Sequence, residues 1–313
     1  MLLDIIFILG GLALLYYGGE LLIGGCLRIA QHYRVSPFVI GATVMGFGTS
    51  APELAVSLLA ALEGSPEVAM GNVVGSNIAN VGLVLGLTAL LVPVTIDKAR
   101  FRLETPPLLI ASFLLILLAW DQGLVRWEGL LFLAGIGWYI ARALKDEEES
   151  LLHFEDELKW FRGKPIGFQF ILIVLGLALL VAGARGMVVG GVSLARNFGI
   201  SEWFIGITII ALGTSLPEIV SSTMSAMRGH GEMALGNVFG SNIFNIFMVL
   251  GATASIDPLM IQEPIRADLI FTTALTCMLL IMINLKHRLE KGGGVVLLSG
   301  YAFYVGAKGL GLF

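Results

Sequence analysis

The sequence predicts an all-α integral membrane protein with ten transmembrane helices, arranged as two five-helix repeats of inverted topology. Three observations support this prediction: the composition, the recurrence of long apolar runs, and an internal repeat at a constant offset. Of the 313 residues, 57% are hydrophobic and only 13% are charged, whereas a soluble domain carries about 25% charged residues. The composition therefore favours a protein that lies largely in lipid.

Apolar runs of close to 20 residues recur along the whole chain. A run of this length crosses a hydrocarbon core of roughly 30 Å as a helix. Because backbone polar groups in lipid must be satisfied within the segment, we expect helices and no strands. The predicted spans cover residues 5–26, 36–61, 68–92, 106–120, 128–144, 167–194, 202–226, 233–255, 267–285 and 293–312.

The distribution of basic residues predicts the orientation of these helices. If residue 1 lies outside, the connections after the odd-numbered helices contain fourteen of the 19 Lys and Arg residues. The positive-inside rule then places both termini outside and residues 145–165 in the cytoplasm. The start, MLLDIIFILGG, lacks the basic region of a secretory signal and is expected to be the first spanning helix. The compact chain suggests the plasma membrane of a prokaryote.

A shift of 165 residues aligns the two halves of the chain without a gap. GTSAPE at 48–53 matches GTSLPE at 213–218, and GNVVGSNIAN at 71–80 matches GNVFGSNIFN at 236–245. Because each repeat holds five helices, an odd number, matched helices cross the membrane in opposite directions. The predicted division is a first repeat at 1–144, a linker at 145–165 and a second repeat at 166–313. The first repeat has polar motifs at 41–57 and 71–80, and the second has polar motifs at 206–222 and 236–245.

The repeated polar motifs place oxygen ligands inside apolar helices. Thr49 and Glu53 share a helix face, and Pro52 loosens the turn before it because it lacks an N–H and clashes with the carbonyl four residues back. Pro217 does the same in the second half. A two-fold arrangement would assemble two carboxylates with hydroxyls, amides and freed carbonyls, from Glu53, Glu218, Thr49, Thr214, Ser50, Ser215, Ser76, Ser241, Asn80 and Asn245.

Every ligand in this set is oxygen, which is the donor that hard cations such as Ca²⁺ prefer. A carboxylate buried in lipid costs at least ~2.5–3.5 kcal/mol, so two of them should require cations that neutralise them. Small glycines in the second motif (Gly71, Gly75, Gly236, Gly240) are expected to allow tight helix contact.

The paired motifs G-T-S-x-P-E and G-N-V-x-G-S-N-I-x-N closely resemble the α-repeats of the sodium/calcium exchanger family, and the resemblance covers essentially the whole chain. It implies electrogenic exchange of Na⁺ for Ca²⁺ by alternating access, usually with three Na⁺ per Ca²⁺. Glu53 and Glu218 look like the central carboxylates that both ions share. Thr49 and Thr214 resemble calcium ligands that use their backbone carbonyls.

The resemblance also suggests the remaining ligands. Four serines look like flanking sodium ligands together with two backbone carbonyls, and two asparagines line the middle: Ser50, Ser215, Ser76, Ser241, the carbonyls of Gly46 and Ala211, Asn80 and Asn245. Many archaeal relatives have Asp where Asn245 stands. The asparagine argues against potassium co-transport and removes one protonatable group.

The same residues are compatible with functions other than exchange. A Ca²⁺/H⁺ antiporter could use the same glutamates as proton carriers, although the hydroxyl set suits Na⁺. A membrane-embedded enzyme would need His, Cys or Asp beside the glutamates, and the motifs contain none. A channel would have no need to neutralise the two carboxylates before the site closes. Two cysteines are too few for a disulfide framework or a zinc site. We expect no cofactor, no nucleic acid and no protein partner, only Ca²⁺, Na⁺ and the bilayer.

Overall fold

The protein is helical through almost all of the part described by the computed structural model, which comprises residues 2–143, 165–198, 213, 215–262 and 264–310. The predicted linker, except for its last residue Pro165, and most of the first half of the seventh span lie outside these residues. The helices are α1 Leu2–Tyr33, α2 Pro37–Leu62, α3 Pro66–Leu91, α4 Lys98–Leu118, α5 Arg126–Ala143, α6 Ile166–Asn197, α7 Leu216–Met227, α8 Gly231–Ile256, α9 Arg266–Lys286 and α10 Lys291–Gly309.

Within the described residues, seven helices are long and apolar enough to cross a membrane, namely α1, α2, α3, α4, α6, α8 and α9. Large apolar side chains such as Leu2, Leu117, Val174 and Leu285 are exposed on the outer faces of these helices, each with at least 66% of its surface free. A soluble monomer rarely exposes apolar surface on this scale. The fold is therefore that of a multi-pass helical membrane protein.

Three of the helices depart from regular α-helical geometry. A π-helical turn occurs in α2 at Gly41–Met45, in α3 at Asn80–Leu85 and in α8 at Asn245–Leu250. Such turns are rare and occur frequently at functional sites. In addition, α2 is interrupted at Ser50, next to the proline that the sequence analysis expects to loosen the helix.

Short strands do occur, although none lies within the described parts of the predicted spans. Four two-residue strands form two antiparallel pairs in the connections between helices. β1 (Val94–Thr95) pairs with β4 (Arg288–Leu289), and β2 (Gly123–Leu124) pairs with β3 (Leu259–Met260). Connections also need partners for their backbone N–H and C=O groups, and here they find them in one another. Two residues are too few to give a periodic sequence signal.

Glycines bring helix backbones into direct contact at two interfaces. Between α1 and α6, a Cβ on Gly18 would lie 2.8 Å from the Gly176 carbonyl oxygen. Between α2 and α8, a Cβ on Gly236 would lie 2.2 Å from the Phe38 oxygen, and one on Gly240 would lie 2.1 Å from the Ala42 oxygen. Small residues permit this closeness between membrane helices.

The other two glycines singled out in the sequence lack such a contact. Cβ atoms on Gly71 and Gly75 would meet no atom of the described residues within 4 Å. The tight contact expected of the second motif is therefore seen where α8 meets α2, and α8 itself is buried on nearly all faces.

Candidate functional site

The contact between α2 and α8 joins the first polar motif to the fourth. The Thr49 hydroxyl oxygen lies 3.1 Å from the Ser241 hydroxyl oxygen, and the Ser50 hydroxyl donates to the Ser241 carbonyl over 3.4 Å. All three residues are buried. The backbone of Gly46 lies directly against that of Ser241, since a Cβ there would come within 2.9 Å of the Ser241 nitrogen.

A second group of predicted residues lies where α3 meets the start of α7. Ser76 and Ser215 are both buried and line one groove together with Asn72 and Gly75. These two serines are the residues that the 165-residue offset relates to Ser241 and Ser50. The structure therefore pairs serines across the two repeats: Ser50 meets Ser241, and Ser76 meets Ser215. Thr214 and Ala211 lie outside the described residues.

The two glutamates are the most deeply buried carboxylates of the site, with 2% of Glu53 and 1% of Glu218 exposed. Glu53 lies in α2 just after the interruption at Ser50, and Glu218 lies in the first turn of α7. The Oε2 atom of each glutamate has no hydrogen-bond partner among the described residues. No ion pair in the described part of the chain includes either of them. A buried carboxylate in this state is costly unless a positive charge compensates it.

Four asparagines cross-link α3 and α8 at the middle of the site. Asn80 donates from Nδ2 to the Asn242 side-chain oxygen over 3.1 Å, and Asn245 donates to the Asn77 side-chain oxygen over 3.0 Å. Asn77 and Asn242 also donate to each other's backbone carbonyl, over 3.4 Å in both directions. The Oδ1 atom of Asn245 has no described partner.

Sequence reasoning selected Asn80 and Asn245 and missed Asn77 and Asn242. The signal was present, because both missed residues belong to the matched motifs and are 165 residues apart. Their position three residues before the selected asparagines places Asn77 beside Asn80 on one face of α3, and Asn242 beside Asn245 on one face of α8.

Two further asparagines hold the polar helix segments in position, and the sequence analysis missed them as well. Asn237 donates to the Ser221 and Ser222 hydroxyls over 3.0 and 2.9 Å, and its side-chain oxygen accepts from Thr49 over 3.4 Å.

In the other half, Asn72 donates to the Ser57 hydroxyl over 2.9 Å and to the Glu53 carbonyl over 3.2 Å. The second of these bonds holds the backbone of α2 at Glu53.

The atoms of this site that could coordinate a cation are all oxygens. They are carboxylate, hydroxyl, amide and backbone oxygens, and the described residues contain no cluster of three or more His, Cys, Asp or Glu side chains. Such a set suits hard cations better than soft metals. Fold and site together define the class: a multi-pass helical membrane protein with a buried all-oxygen polar site where broken helices meet.

Comparison with known proteins gives the family. The family described as sodium/calcium exchanger protein matches residues 3–145 and 168–309, and the chain belongs to it, as the motifs indicated. CaxA of Alkalimonas amylolytica is 38% identical over 97% of this chain and 98% of its own length. The sodium/calcium exchanger MaX1 of Methanosarcina acetivorans is 33% identical, over 96% of this chain and 97% of its own.

A solved structure has the same fold. The sodium-calcium exchanger NCX_Mj, soaked with 10 mM Na⁺ and zero Ca²⁺, superposes with a TM-score of 0.84 at 32% sequence identity, covering 98% of this chain and 99% of that one. The protein is thus a member of a family of membrane transporters that exchange cations with Ca²⁺, and Na⁺ and Ca²⁺ are the substrates that the family implies.

Proposed function

We propose that this protein exchanges Na⁺ for Ca²⁺ by alternating access around a central site that contains Glu53 and Glu218. One observation supports this most strongly: two buried carboxylates, on helix segments that Asn237 links by hydrogen bonds, each have an oxygen without a described partner. Their neighbours are hydroxyls and amides, which coordinate cations without adding charge. Two ionised carboxylates buried in this way need positive charge beside them, which bound cations would supply.

The charge of the site sets the coupling between the ions. Empty, the two ionised glutamates hold two negative charges within the membrane, and a closed state with that charge is too costly to form. One Ca²⁺ neutralises them, two Na⁺ do the same, and a third Na⁺ adds a positive charge. Exchange of three Na⁺ for one Ca²⁺ is therefore electrogenic, and the membrane potential contributes about 2.3 kcal/mol per charge per 100 mV.

The remaining ligands follow the symmetry of the repeats. Thr49 and Thr214 would supply backbone carbonyls to Ca²⁺. The sodium sites on either side would use four serines and two carbonyls, from Ser50, Ser241, Ser76, Ser215, Gly46 and Ala211. Asn80 and Asn245 would line the middle. The contacts of Thr49 and Ser50 with Ser241 support one sodium site. The groove that Ser76 and Ser215 line together supports the other.

The proposed architecture is ten spans in two inverted halves, with both termini outside the cell membrane and residues 145–165 in the cytoplasm. The strand pairs support the alternation of the spans. β1 follows α3 and pairs with β4, which follows α9, so both strands follow odd-numbered helices. β2 and β3 both follow even-numbered helices. Each pair thus joins two connections that alternating spans place on the same side.

Calcium uptake into proteoliposomes tests the proposed function. Vesicles loaded with Na⁺ are diluted into Na⁺-free buffer that contains radioactive calcium, and a matched set contains a pH gradient instead. We expect uptake that requires internal Na⁺ and increases with an inside-positive potential. Uptake that the pH gradient drives, and that is indifferent to Na⁺, would replace this proposal with Ca²⁺/H⁺ antiport through the same glutamates.

A further inference from the structure

A polar pocket lies at the end of the α1–α6 pair, apart from the residues of the cation site. It has a volume of about 370 Å³, and its lining comes from the end of α1 and from the start of α6: Arg28, Gln31, His32, Arg34, Ile166 and Gln169. Every charged or titratable side chain among these residues is basic. The pocket therefore offers a positive environment at the point where two membrane helices end.

The most unusual feature of the pocket is Gln169. Only 1% of this residue is exposed, and neither its Nε2 nor its Oε1 atom has a hydrogen-bond partner in the part of the chain that the structure describes. Buried amides in native proteins nearly always have partners, because a buried amide without one is costly. An amide that lines a pocket in this state is a donor available to a bound ligand.

The arginines of the pocket present further donors. The Arg28 Nη1 atom donates to the Gln31 side-chain oxygen over 2.8 Å, which orients the guanidinium and leaves other N–H groups free for a ligand. Arg34 has a left-handed backbone with φ of 55°, a conformation that favours glycine. The residue 165 positions further on is Gly199. The first half thus has an arginine where backbone preference alone favours glycine.

The start of α6 adds backbone donors to the same pocket. α6 is a 32-residue helix that begins at Ile166, and its N-cap residue, Pro165, makes no capping hydrogen bond with its side chain. The first N–H groups of a helix lack acceptors within the helix, and its N-terminus attracts anions. Arginine forks, a buried amide and a helix N-terminus therefore converge from two helices.

We propose that this pocket binds a phosphate group, supplied by the headgroup of an anionic lipid or by free phosphate. Phosphate has several acceptor oxygens and matches the planar fork of arginine. Basic pockets between membrane helices at the cytoplasmic side bind phosphorylated headgroups, and this pocket lies on the side that the basic residues predict to be cytoplasmic. A phosphate held there would join the end of α1 to the start of α6.

The test uses the full-length protein in nanodiscs of phosphatidylcholine, to which phosphatidylglycerol or inorganic phosphate is added separately. The readouts are the thermal midpoint and the number of phosphatidylglycerol molecules retained in native mass spectrometry. We expect one strongly retained lipid per chain, or protection by phosphate alone if the natural ligand is free. The variant Arg28→Gln/Arg34→Gln should weaken the response about tenfold or more. The control Lys98→Gln/Lys291→Gln loses the same charge at exposed positions outside the pocket and should respond as the wild type does.

A second variant separates ligand binding from a structural role. Gln169→Leu removes the unpartnered amide without a change in charge, so without ligand it should be at least as stable as the wild type, yet it should respond more weakly to phosphate or lipid. Equal responses in the wild type, Gln169→Leu and Arg28→Gln/Arg34→Gln would overturn the proposal. A second result would also overturn it. Replacing the acidic residues of 145–165 by neutral ones would lower the thermal midpoint as much as Arg28→Gln/Arg34→Gln does, and combining the two sets of substitutions would lower it no further. The occupant would then be the linker.

Discussion

At the scale of single residues, the site depends on carboxylates that the protein itself does not satisfy. Glu53 and Glu218 are buried, and each has one oxygen without a described partner. Amides and hydroxyls bond to one another around them, as in the contacts of Asn237 with Thr49 and two serines. Most neutral polar groups around the glutamates are thus satisfied within the described residues, whereas one oxygen of each carboxylate is not.

The substitutions Glu53→Gln and Glu218→Gln test this division of roles. Each removes one negative charge and keeps the shape of the side chain, so an occluded Ca²⁺ would be left with a net positive charge. We expect sodium-driven calcium flux to fall to background in both variants, while helix content and gel-filtration behaviour stay unchanged. Glu63→Gln is the matched control, because Glu63 is exposed just after α2. Wild-type flux in either test variant would remove its glutamate from the proposed site.

At the scale of helices, the site depends on how closely α2 approaches α8. Gly236 and Gly240 allow the backbones to touch, and this contact places Thr49 and Ser50 against Ser241. The π-helical turns lie beside the same motifs.

Gly240→Ala should disrupt this contact. Its Cβ would lie 2.1 Å from the Ala42 carbonyl oxygen, and rigid backbone on both sides cannot yield without a shift of one helix. Overpacking of this kind costs typically ~1–3 kcal/mol, so we expect a lower thermal midpoint in detergent and weaker calcium transport.

Gly10→Ala is the control for this substitution, since Gly10 is exposed in α1 and a Cβ there would meet no described atom within 4 Å. Alanine is the better helix former by ~0.5–1 kcal/mol, so this variant should be as stable as the wild type or more so. If Gly240→Ala behaves like Gly10→Ala, close approach of α2 and α8 is not required.

The sequence predicts much of the fold because lipid imposes one simple demand, that each segment satisfies its own backbone. Apolar runs therefore locate helices such as α1 and α8, and Pro52 predicts the interruption found at Ser50. The two-residue strands and the π-helical turns could not be predicted, because they depend on which segments become neighbours. The pairing of Asn77 with Asn245 likewise requires two distant motifs to meet, although their repetition hinted at a shared role.

At the scale of the whole molecule, the repeat and the charge distribution make a prediction about topology. The strand pairs join β1 to β4 and β2 to β3, each linking connections of the same parity. With both termini outside, the connection after α2 lies outside and the connection before α4 lies in the cytoplasm.

Cysteine labelling tests this topology. In a Cys26→Ala/Cys277→Ala background, Glu63→Cys should react with an impermeant maleimide on intact cells, whereas Lys98→Cys should react only after permeabilisation. Both positions are exposed in the structure. Reaction of the two variants in the opposite order would reverse the orientation, and reaction of both in intact cells would contradict the alternation of the spans.

The most direct test of the account is calorimetric titration of Ca²⁺ into the purified wild type, Glu53→Gln, Glu218→Gln and Glu63→Gln, each with and without Na⁺. If the two glutamates form one shared site, the wild type and Glu63→Gln will bind Ca²⁺ with an affinity that Na⁺ reduces, and neither site variant will bind it measurably. Calcium binding of unchanged affinity in Glu53→Gln and Glu218→Gln, or binding that Na⁺ does not affect, would contradict a shared cation site at these residues.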